Sequence, residues 1–334
     1  MKVLFYYHVP FSLAHGGAQI QIERTKKALA EAGVETEHLQ WWNAAQSGDV
    51  LHSFGHLPLS FVRQARQKGL KVVITLLLTA QCNRSFWGLL TRQLFIRSAL
   101  SLLPSRVKDQ TPWQALHECD QIVVGLEAEC RVLRQVYGLK PQQVSIVPLG
   151  LSETFLSAPA ASRAEDHLIC TGTIGPLKNS LQLGRLALQS QVPLLFVGKP
   201  HGSNNSYWQE FEKLINGRLV KHHPHVESEQ EMVHLLGNAR GYVLMSRYEN
   251  WSLAAHEAAA CGLPLLLPDQ PWSRECFANE GHYFPKGGSG SAVAALREFY
   301  DRCPKLAAPQ VRLFSWQQVA EKLQLLYARL LKAG

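Results

Sequence analysis

A segment in the second half of the chain limits the possible folds more than any other. Apolar runs at Tyr242–Met245 and Leu265–Leu267 predict two buried strands, and the alanine-rich stretch Leu253–Cys261 between them predicts a helix. Asn250 or Ser252 can cap the start of that helix. A strand, a loop, a short helix and a second strand, in that order, indicate an α/β protein with a parallel sheet.

Two carboxylates lie near the start of this helix. Glu249 is in the loop before the helix, and Glu257 is about one turn into it. A helix start offers free backbone N–H groups and a positive dipole end, which suit a phosphate or a sugar oxygen. The pair alone leaves two interpretations open: a ligand site, or a solvated loop residue beside an ordinary surface position of a helix. Together with the alanine-rich helix and the Gly-x-Pro at 262–264, the pair resembles the donor-site motif of retaining GT-B glycosyltransferases of family 4.

Length and composition fit that resemblance. A chain of 334 residues that is 46% hydrophobic can bury two cores of ~150 residues each. Its seven cysteines are scattered without a Cys-x-x-Cys pair, which favours reduced thiols in a cytoplasmic protein. Met1–Tyr7 predicts a first buried strand rather than a secretion signal, and no apolar run approaches the ~20 residues that span a bilayer.

The net charge of +8 is concentrated in one part of the chain. No acidic residue lies between Asp49 and Asp109, whereas nine basic residues do. They are Arg63, Arg66, Lys68, Lys71, Arg84, Arg92, Arg97, Arg106 and Lys108. A block of one sign on a folded domain predicts an anionic partner.

Within this block, residues 83–106 mix large apolar side chains with arginines. One interpretation is a helix packed on the sheet with solvated arginines. The other is a basic amphipathic surface, with Arg84, Trp87, Arg92 and Arg97, that docks on anionic lipid or on a lipid-linked acceptor at the inner face of the cell membrane. Nucleic acid ranks well below lipid because no recognition motif accompanies the charge, and we expect no nucleic-acid partner.

The family resemblance extends along the chain and predicts its domains. After the first strand, Gly16 and Gly17 precede a helix, as in a loop that approaches a phosphate. A segment ending in Phe155 resembles the signature that closes the first domain of the family, and the small and polar residues after it predict a hinge. The resemblance implies an α/β GT-B fold of two Rossmann-like domains facing across a cleft. We expect an acceptor domain at 1–155, a donor domain at 156–315, and a C-terminal helix at 316–334 that crosses back to the first domain.

The second domain begins with a strand followed by Gly172, Thr173 and Lys178. Family members carry Gly-Arg-x-x-x-x-Lys at this place, so Lys178 matches and Thr173 replaces the arginine. A solvent-facing lysine is the alternative interpretation of Lys178. Three histidines at 222–225 suggest a metal site, but histidines so closely spaced around a proline cannot easily point at one ion, so we predict none. The family places the nucleotide base beside this loop, near His225 and Val226.

No Asp-x-Asp motif occurs in the sequence, whereas GT-A enzymes use that pair to hold a metal. The resemblance implies a metal-independent site in which Lys178 and helix N–H groups neutralise the diphosphate of a nucleotide-sugar. Glu257 would accept hydrogen bonds from the ribose hydroxyls, and Glu249 would lie near the donor sugar and steady the transition state. The implied donor site comprises Gly16, Gly17, Gly172, Thr173, Lys178, His225, Val226, Asn250, Trp251, Ser252, Leu253 and Glu257, with Glu249 and Lys178 as catalytic residues.

We therefore expect a retaining glycosyltransferase that transfers a sugar to a glycan or lipid-linked acceptor without a metal or other cofactor. Asn250, Trp251 and Ser252 replace the more usual Gly-Phe-Gly of the family, and their side chains are expected to narrow the sugar pocket. A catalytically silent GT-B scaffold that binds a sugar nucleotide or an assembly partner is the alternative. A sugar-nucleotide epimerase of the same fold would need acid and base carboxylates in the first domain that the sequence does not indicate.

Overall fold

The computed structural model describes residues 1–8, 17–40, 42–202 and 206–332. The chain divides into two compact units, Met1–Gly150 with Phe314–Gly334 and Leu151–Leu313. Each unit contains one six-stranded sheet. Every pair of neighbouring strands runs parallel, as expected when helices connect the strands.

The first unit alternates strands and helices. Its strands are β1 (Lys2–Tyr7), β2 (Glu35–His38), β3 (Val50–Phe54), β4 (Lys71–Thr75), β5 (Gln121–Val124) and β6 (Val144–Ile146). Its helices before residue 150 are α1 (Gly17–Glu31), α2 (Leu59–Gln67), α3 (Thr79–Cys82), α4 (Phe86–Leu102), α5 (Ser105–Lys108), α6 (Pro112–Glu118) and α7 (Glu127–Tyr137). The strand order is β2-β1-β3-β4-β5-β6, so the order reverses between β1 and β3.

The second unit begins with α8 (Glu153–Leu156) and contains the other sheet. Its strands are β7 (Leu168–Thr171), β8 (Leu194–Val197), β9 (Val220–His223), β10 (Gly241–Val243), β11 (Leu265–Pro268) and β12 (His282–Phe284). Its other helices are α9 (Ser180–Ser190), α10 (Ser206–Glu212), α11 (Glu229–Asn238), α12 (Leu253–Ala260), α13 (Pro271–Phe277) and α14 (Ser289–Arg302). The order β12-β11-β10-β7-β8-β9 is that of a dinucleotide-binding Rossmann sheet, and it reverses between β7 and β10.

The last helix, α15 (Trp316–Lys332), returns to the first unit and packs against α1. At its start the chain comes so close to Gly150 that a Cβ there would lie 2.6 Å from the backbone nitrogen of Trp316. Further along, the hydroxyl of Tyr327 lies 2.6 Å from Nδ1 of the buried His52, whose Nε2 lies 2.7 Å from the hydroxyl of Thr75. The predicted return of the C-terminal helix is therefore confirmed.

The limits of the two units differ by a few residues from the predicted 1–155 and 156–315. The short helix α8 accounts for the difference, because it packs against α11 and α12 of the second unit and buries Phe155. The signature that ends in Phe155 thus lies across the boundary between Gly150 and Leu151, rather than before it.

Candidate functional site

Predicted donor residues of the second unit lie at the carboxyl edge of the second sheet, where the strand order reverses. Lys178 lies in the loop after β7, and Glu249 lies in the loop after β10, the strand beside β7. The crevice at such a reversal is where open parallel sheets bind their ligands. The alternation of strands and helices in the sequence predicts that both loops lie at the same edge of the sheet. The strand order of the structure shows that they are also neighbours, because β7 pairs with β10.

Lys178 and Glu249 form an ion pair there. Both side chains are largely shielded, with 21% of the lysine and 12% of the glutamate exposed. Ser246 donates a second hydrogen bond of 2.8 Å to the same carboxylate oxygen of Glu249. The alternative interpretations, a solvent-facing Lys178 and a solvated Glu249, are therefore wrong. The two side chains are mostly shielded and pair with each other.

Two glycines allow the neighbouring loops to approach closely. Gly172 has φ +130, and a Cβ there would lie 3.4 Å from Cε of Lys178. Gly198, directly after β8, has φ +151, and a Cβ there would lie 2.1 Å from the carbonyl oxygen of Gly172. A side chain at either position would be strained by the backbone conformation, and one at Gly198 would also collide with the backbone of Gly172, in the loop that carries Lys178.

Glu257 lies in α12 and keeps part of its side chain exposed. Burial raises the pKa of Glu257 to about 7; the negative charge of Glu229 acts in the same direction, and the positive charge of Lys178 opposes both. Lys178 is therefore within electrostatic reach of both predicted carboxylates. Within the described ranges, no side-chain hydrogen bond occupies the carboxyl group of Glu257, so it is available to a ligand.

The start of α12 is formed as predicted, and Ser252 is its cap. The hydroxyl of Ser252 accepts a hydrogen bond of 3.4 Å from the backbone N–H of Ala255. The backbone N–H groups in the first turn of a helix have no partners inside the helix. In α12 this turn begins at Leu253. Asn250 precedes this turn and is buried.

The expected role of Trp251 needs a correction. Its indole ring is buried and stacks on the imidazole of His256, with ring centroids 3.4 Å apart and planes within 9°. Nδ1 of His256 donates to the carbonyl oxygen of Ser252 at 2.8 Å, which fixes the imidazole under the indole. The large side chain thus packs into the second unit and stabilises the loop, so it does not narrow a sugar pocket.

The histidines after β8 and β9 use their ring nitrogens within the protein. Nε2 of His222 lies 2.9 Å from the carbonyl oxygen of Gly198, and Nδ1 of His223 lies 2.8 Å from that of Pro224. His225 is exposed, whereas Val226 is buried. In the described part of the chain, no group of three histidines, cysteines or acids has the arrangement of a metal site.

Three positions of the predicted phosphate region remain, Gly16, Gly17 and Thr173. Gly16 lies outside the described residues, and Gly17 is the first residue of α1. Thr173 lies half-buried between Gly172 and Ile174, and no arginine replaces it in that loop. Ile174 donates its backbone N–H to the carbonyl oxygen of Lys199 at 2.8 Å, which joins the loops after β7 and β8.

The predicted membrane residues lie on and before α4. Arg84, Trp87 and Arg97 are exposed, whereas Arg92 is half-buried. Large apolar side chains that are 56–83% exposed surround them on the helix: Phe86, Trp87, Leu94, Phe95 and Leu102. At 100° per residue these side chains cover about half of the helix circumference. No helix among the described residues is long and apolar enough to cross a membrane.

Sequence reasoning missed two residues that hold the site together. Ser246 binds Glu249, and Nε2 of Gln270 donates to the carbonyl oxygens of Ser246 and Arg247 at 2.8 Å and 3.0 Å. A signal for Ser246 existed, since it directly follows the apolar run of β10 and precedes Glu249 by three residues. Gln270 gave none, because its partners are more than twenty residues away.

Comparisons with known proteins agree with this geometry. The sequence model of the family "Glycosyl transferases group 1" matches residues 168–305, which contain Lys178, Glu249 and Glu257. The structure is similar to that of sucrose-phosphate synthase from Thermosynechococcus elongatus, with a TM-score of 0.70, 17% identity, and coverage of 100% of this chain and 99% of the other. It is also similar to a glycosyltransferase from Rickettsia africae, with a TM-score of 0.64, 11% identity, and coverage of 100% and 99%.

The resemblance to GT-B glycosyltransferases is confirmed. The solved structures establish the GT-B fold, and the family match places the glycosyl transferases group 1 sequence in the second unit.

Two curated relatives of the chain carry the names of glycosyltransferases. One is D-inositol 3-phosphate glycosyltransferase of Kineococcus radiotolerans, 28% identical over 255 residues, or 65% of this chain and 58% of the relative. The other is MMP alpha-(1->4)-mannosyltransferase of Mycolicibacterium hassiacum, 27% identical over 213 residues, or 58% of this chain and 50% of the relative. The matched part thus spans between half and three fifths of the length of these relatives.

Proposed function

We propose that the chain is a retaining, metal-independent glycosyltransferase of family 4. It transfers a sugar from a nucleotide-sugar donor to a glycan or a lipid-linked acceptor. The observation that carries the proposal is the ion pair between Lys178 and Glu249 at the strand reversal of the second sheet, within electrostatic reach of Glu257.

Lys178 is proposed to neutralise the charge that develops on the departing diphosphate. An ammonium group has three N–H donors, so Lys178 can keep its contact with Glu249 and still donate to a phosphate oxygen. Fixed cations and helix N–H groups stabilise such charge without reorganisation during the reaction. In this account the charge compensation that a metal gives elsewhere comes from Lys178 and the first turn of α12.

Glu257 is proposed to accept hydrogen bonds from the two ribose hydroxyls of the donor. In the free protein burial holds its pKa at about 7, so the carboxyl group is only partly ionised near neutral pH. Hydrogen bonds from hydroxyls favour the ionised form of a carboxyl group. Donor binding should therefore draw Glu257 towards the carboxylate.

Glu249 is proposed to lie beside the sugar hydroxyls and to stabilise the positive charge that develops on the ring. Its position is fixed from two sides by Lys178 and Ser246, which suits a group that must be in place before the reaction begins. In a retaining mechanism without a protein nucleophile, the departing phosphate oxygen takes the proton of the acceptor. No catalytic base is therefore assigned.

The surface of α4 is proposed to bring the enzyme to an anionic membrane, as a peripheral protein on the cytoplasmic side. Its exposed aromatic and leucine side chains can enter the headgroup region, while Arg84 and Arg97 attract acidic lipids. The absence of acidic residues from 50 to 108 removes the repulsion that such a surface would otherwise meet.

A silent scaffold that binds a nucleotide or an assembly partner is the second candidate, favoured by Thr173 at the position of the family arginine. Binding of UDP, GDP, ADP and CMP tests the donor site, measured as a rise in melting temperature with and without EDTA on wild type and Glu257→Ala. We expect one nucleotide to raise the melting temperature of the wild type by the same amount with and without EDTA. The same nucleotide should not raise the melting temperature of Glu257→Ala. No rise with any nucleotide would contradict the donor site; binding without transfer would favour the scaffold.

A further inference from the structure

The two loops that meet at the strand reversal of the second sheet carry one permanent cation each. The loop after β7, residues 172–179, contains Lys178, and the loop after β10, residues 244–252, contains Arg247. Lys178 pairs with Glu249, so that pair as a whole has no net charge. Arg247 is therefore the only side chain of these two loops that adds a permanent positive charge beyond the pair.

The main chain at Arg247 is fixed against the loop that carries Lys178. Its backbone N–H donates to the carbonyl oxygen of Leu177 at 2.9 Å, and Leu177 directly precedes Lys178. Its own carbonyl oxygen accepts a hydrogen bond of 3.0 Å from Nε2 of Gln270. Both peptide groups that flank the Cα of Arg247 are thus held, and this Cα lies beside the segment that presents Lys178.

The side chain of Arg247 extends from this fixed point into solvent, since the residue is exposed. Its charge also acts on the start of α9, which begins two residues after Lys178. There the hydroxyl of Tyr207 accepts the backbone N–H of Leu181 at 2.8 Å. Burial raises the pKa of Tyr207, whereas the N–H of Leu181 and then the positive charge of Arg247 lower it. This effect agrees with a guanidinium group on the side of the loop that faces Lys178.

We propose that Arg247 is the second phosphate-binding cation of the donor site and makes the site prefer a nucleoside diphosphate to a nucleoside monophosphate. A guanidinium group can donate two parallel N–H bonds to phosphate oxygens, whereas the ammonium group of Lys178 acts as a point charge. Two cations on adjacent loops match two linked phosphates, and a single neutral ion pair does not. The inference rests on the proposed function, since it names the class of leaving group at the same site.

The test compares three ligands of one base: the nucleoside, its 5′-monophosphate and its 5′-diphosphate. Calorimetry on the full chain in EDTA gives their dissociation constants for wild type, Arg247→Gln and Arg247→Lys. We expect Arg247→Gln to weaken the diphosphate about tenfold, the loss of one charge-assisted contact, and the monophosphate less. The affinity for the nucleoside should not change. Arg247→Lys should recover part of the loss, because it restores the charge without the planar fork.

A matched control and a direct probe separate a contact from diffuse charge. Arg218→Gln removes the same charge from an exposed position just before β9, at the opposite, amino edge of the same sheet. It should leave all three affinities unchanged. In wild type, the Nε resonance of Arg247, assigned with Arg247→Gln, should shift on addition of the diphosphate and not of the nucleoside.

The inference fails if Arg247→Gln binds the diphosphate as wild type does, or if Arg218→Gln weakens it as much as Arg247→Gln. It also fails if Arg247→Gln weakens the nucleoside and the diphosphate alike, because Arg247 would then only shape the loop. Arg247→Lys repeats the test should Arg247→Gln unfold the protein. A diphosphate preference that Arg247→Gln leaves intact would refute this inference alone, whereas no binding of any ligand to wild type would refute the proposed function.

Discussion

Lys178 and Glu249 form an ion pair across 71 residues of sequence, joining the loops that follow β7 and β10. The contact fixes both loops at the point where the second sheet reverses its strand order. Because both side chains are mostly shielded from solvent, each charge depends on the other for compensation.

This dependence predicts a double-mutant cycle. Lys178→Gln and Glu249→Gln should each lower the free energy of unfolding by about 1–3 kcal/mol, because each leaves a shielded charge unpaired. The double variant should be more stable than the sum of the two losses implies. Urea unfolding measures the cycle, and the exposed pair Glu210–Lys213 serves as the control, for which no coupling is expected. Strict additivity at Lys178 and Glu249 would show that the pair is not coupled.

The carboxyl group of Glu257 is expected to lower the free energy of unfolding at neutral and higher pH and to strengthen nucleotide binding. Its pKa of about 7 exceeds the ordinary 4.5, so between these values the folded state binds more protons than the unfolded state. The free energy of unfolding therefore falls as pH rises through this window, and the full cost is present above it. Glu257→Gln should gain about 1–3 kcal/mol at pH 8 and nothing at pH 4, yet bind nucleotide at least about tenfold more weakly. Equal pH profiles of stability for the two proteins would refute the raised pKa.

His52 predicts a pH dependence of opposite sign. Burial lowers its pKa to about 3, whereas the unfolded chain binds a proton near 6.5. Stability is therefore complete above that value and is lost as pH falls towards the folded pKa, by up to about 1.4 kcal/mol per pH unit. His52→Gln should be less stable at neutral pH, because the contacts with Tyr327 and Thr75 change, but its stability should fall less between about pH 6 and about pH 4. Parallel slopes would contradict this assignment.

The surface of α4 predicts binding to acidic vesicles. Arg84→Gln with Arg97→Gln should weaken co-sedimentation with phosphatidylserine vesicles up to about thirtyfold, since each exposed cation near the surface contributes about 1 kcal/mol. Lys68→Gln with Lys140→Gln removes equal charge from exposed positions of the same unit and should have little effect. Equal weakening by both pairs would mean that net charge alone attracts the vesicles.

Much of the fold could be predicted from local patterns. Apolar runs such as Leu168–Thr171 and Leu265–Pro268 are buried strands as expected, and Ser252 caps the helix that its position predicted. These features depend on residues that are near neighbours in the sequence, where periodicity and capping rules apply. The position of Lys178 after the first strand of its unit was predictable for the same reason.

Features that depend on distant contacts were not predictable. The partner of Lys178 is 71 residues away, and the sequence could not show that Trp251 would turn inward to stack on His256. Nor could it separate Arg92, on the packed face of α4, from the exposed Arg97, because apolar residues occupy most faces of that helix. Which face packs is decided by the rest of the unit.

The donor site is tested most directly by comparing the dissociation constants of a nucleoside and its diphosphate. They are measured by calorimetry on wild type, Lys178→Gln and Glu257→Gln in EDTA, with the base that the thermal-shift panel selects. Wild type should bind the diphosphate at least about tenfold more tightly than the nucleoside. Lys178→Gln should reduce that preference several-fold, leaving the part due to Arg247 and the first turn of α12, and Glu257→Gln should weaken both ligands alike. A preference for the diphosphate that is unchanged in Lys178→Gln would contradict the assignment of Lys178 as a phosphate-binding cation.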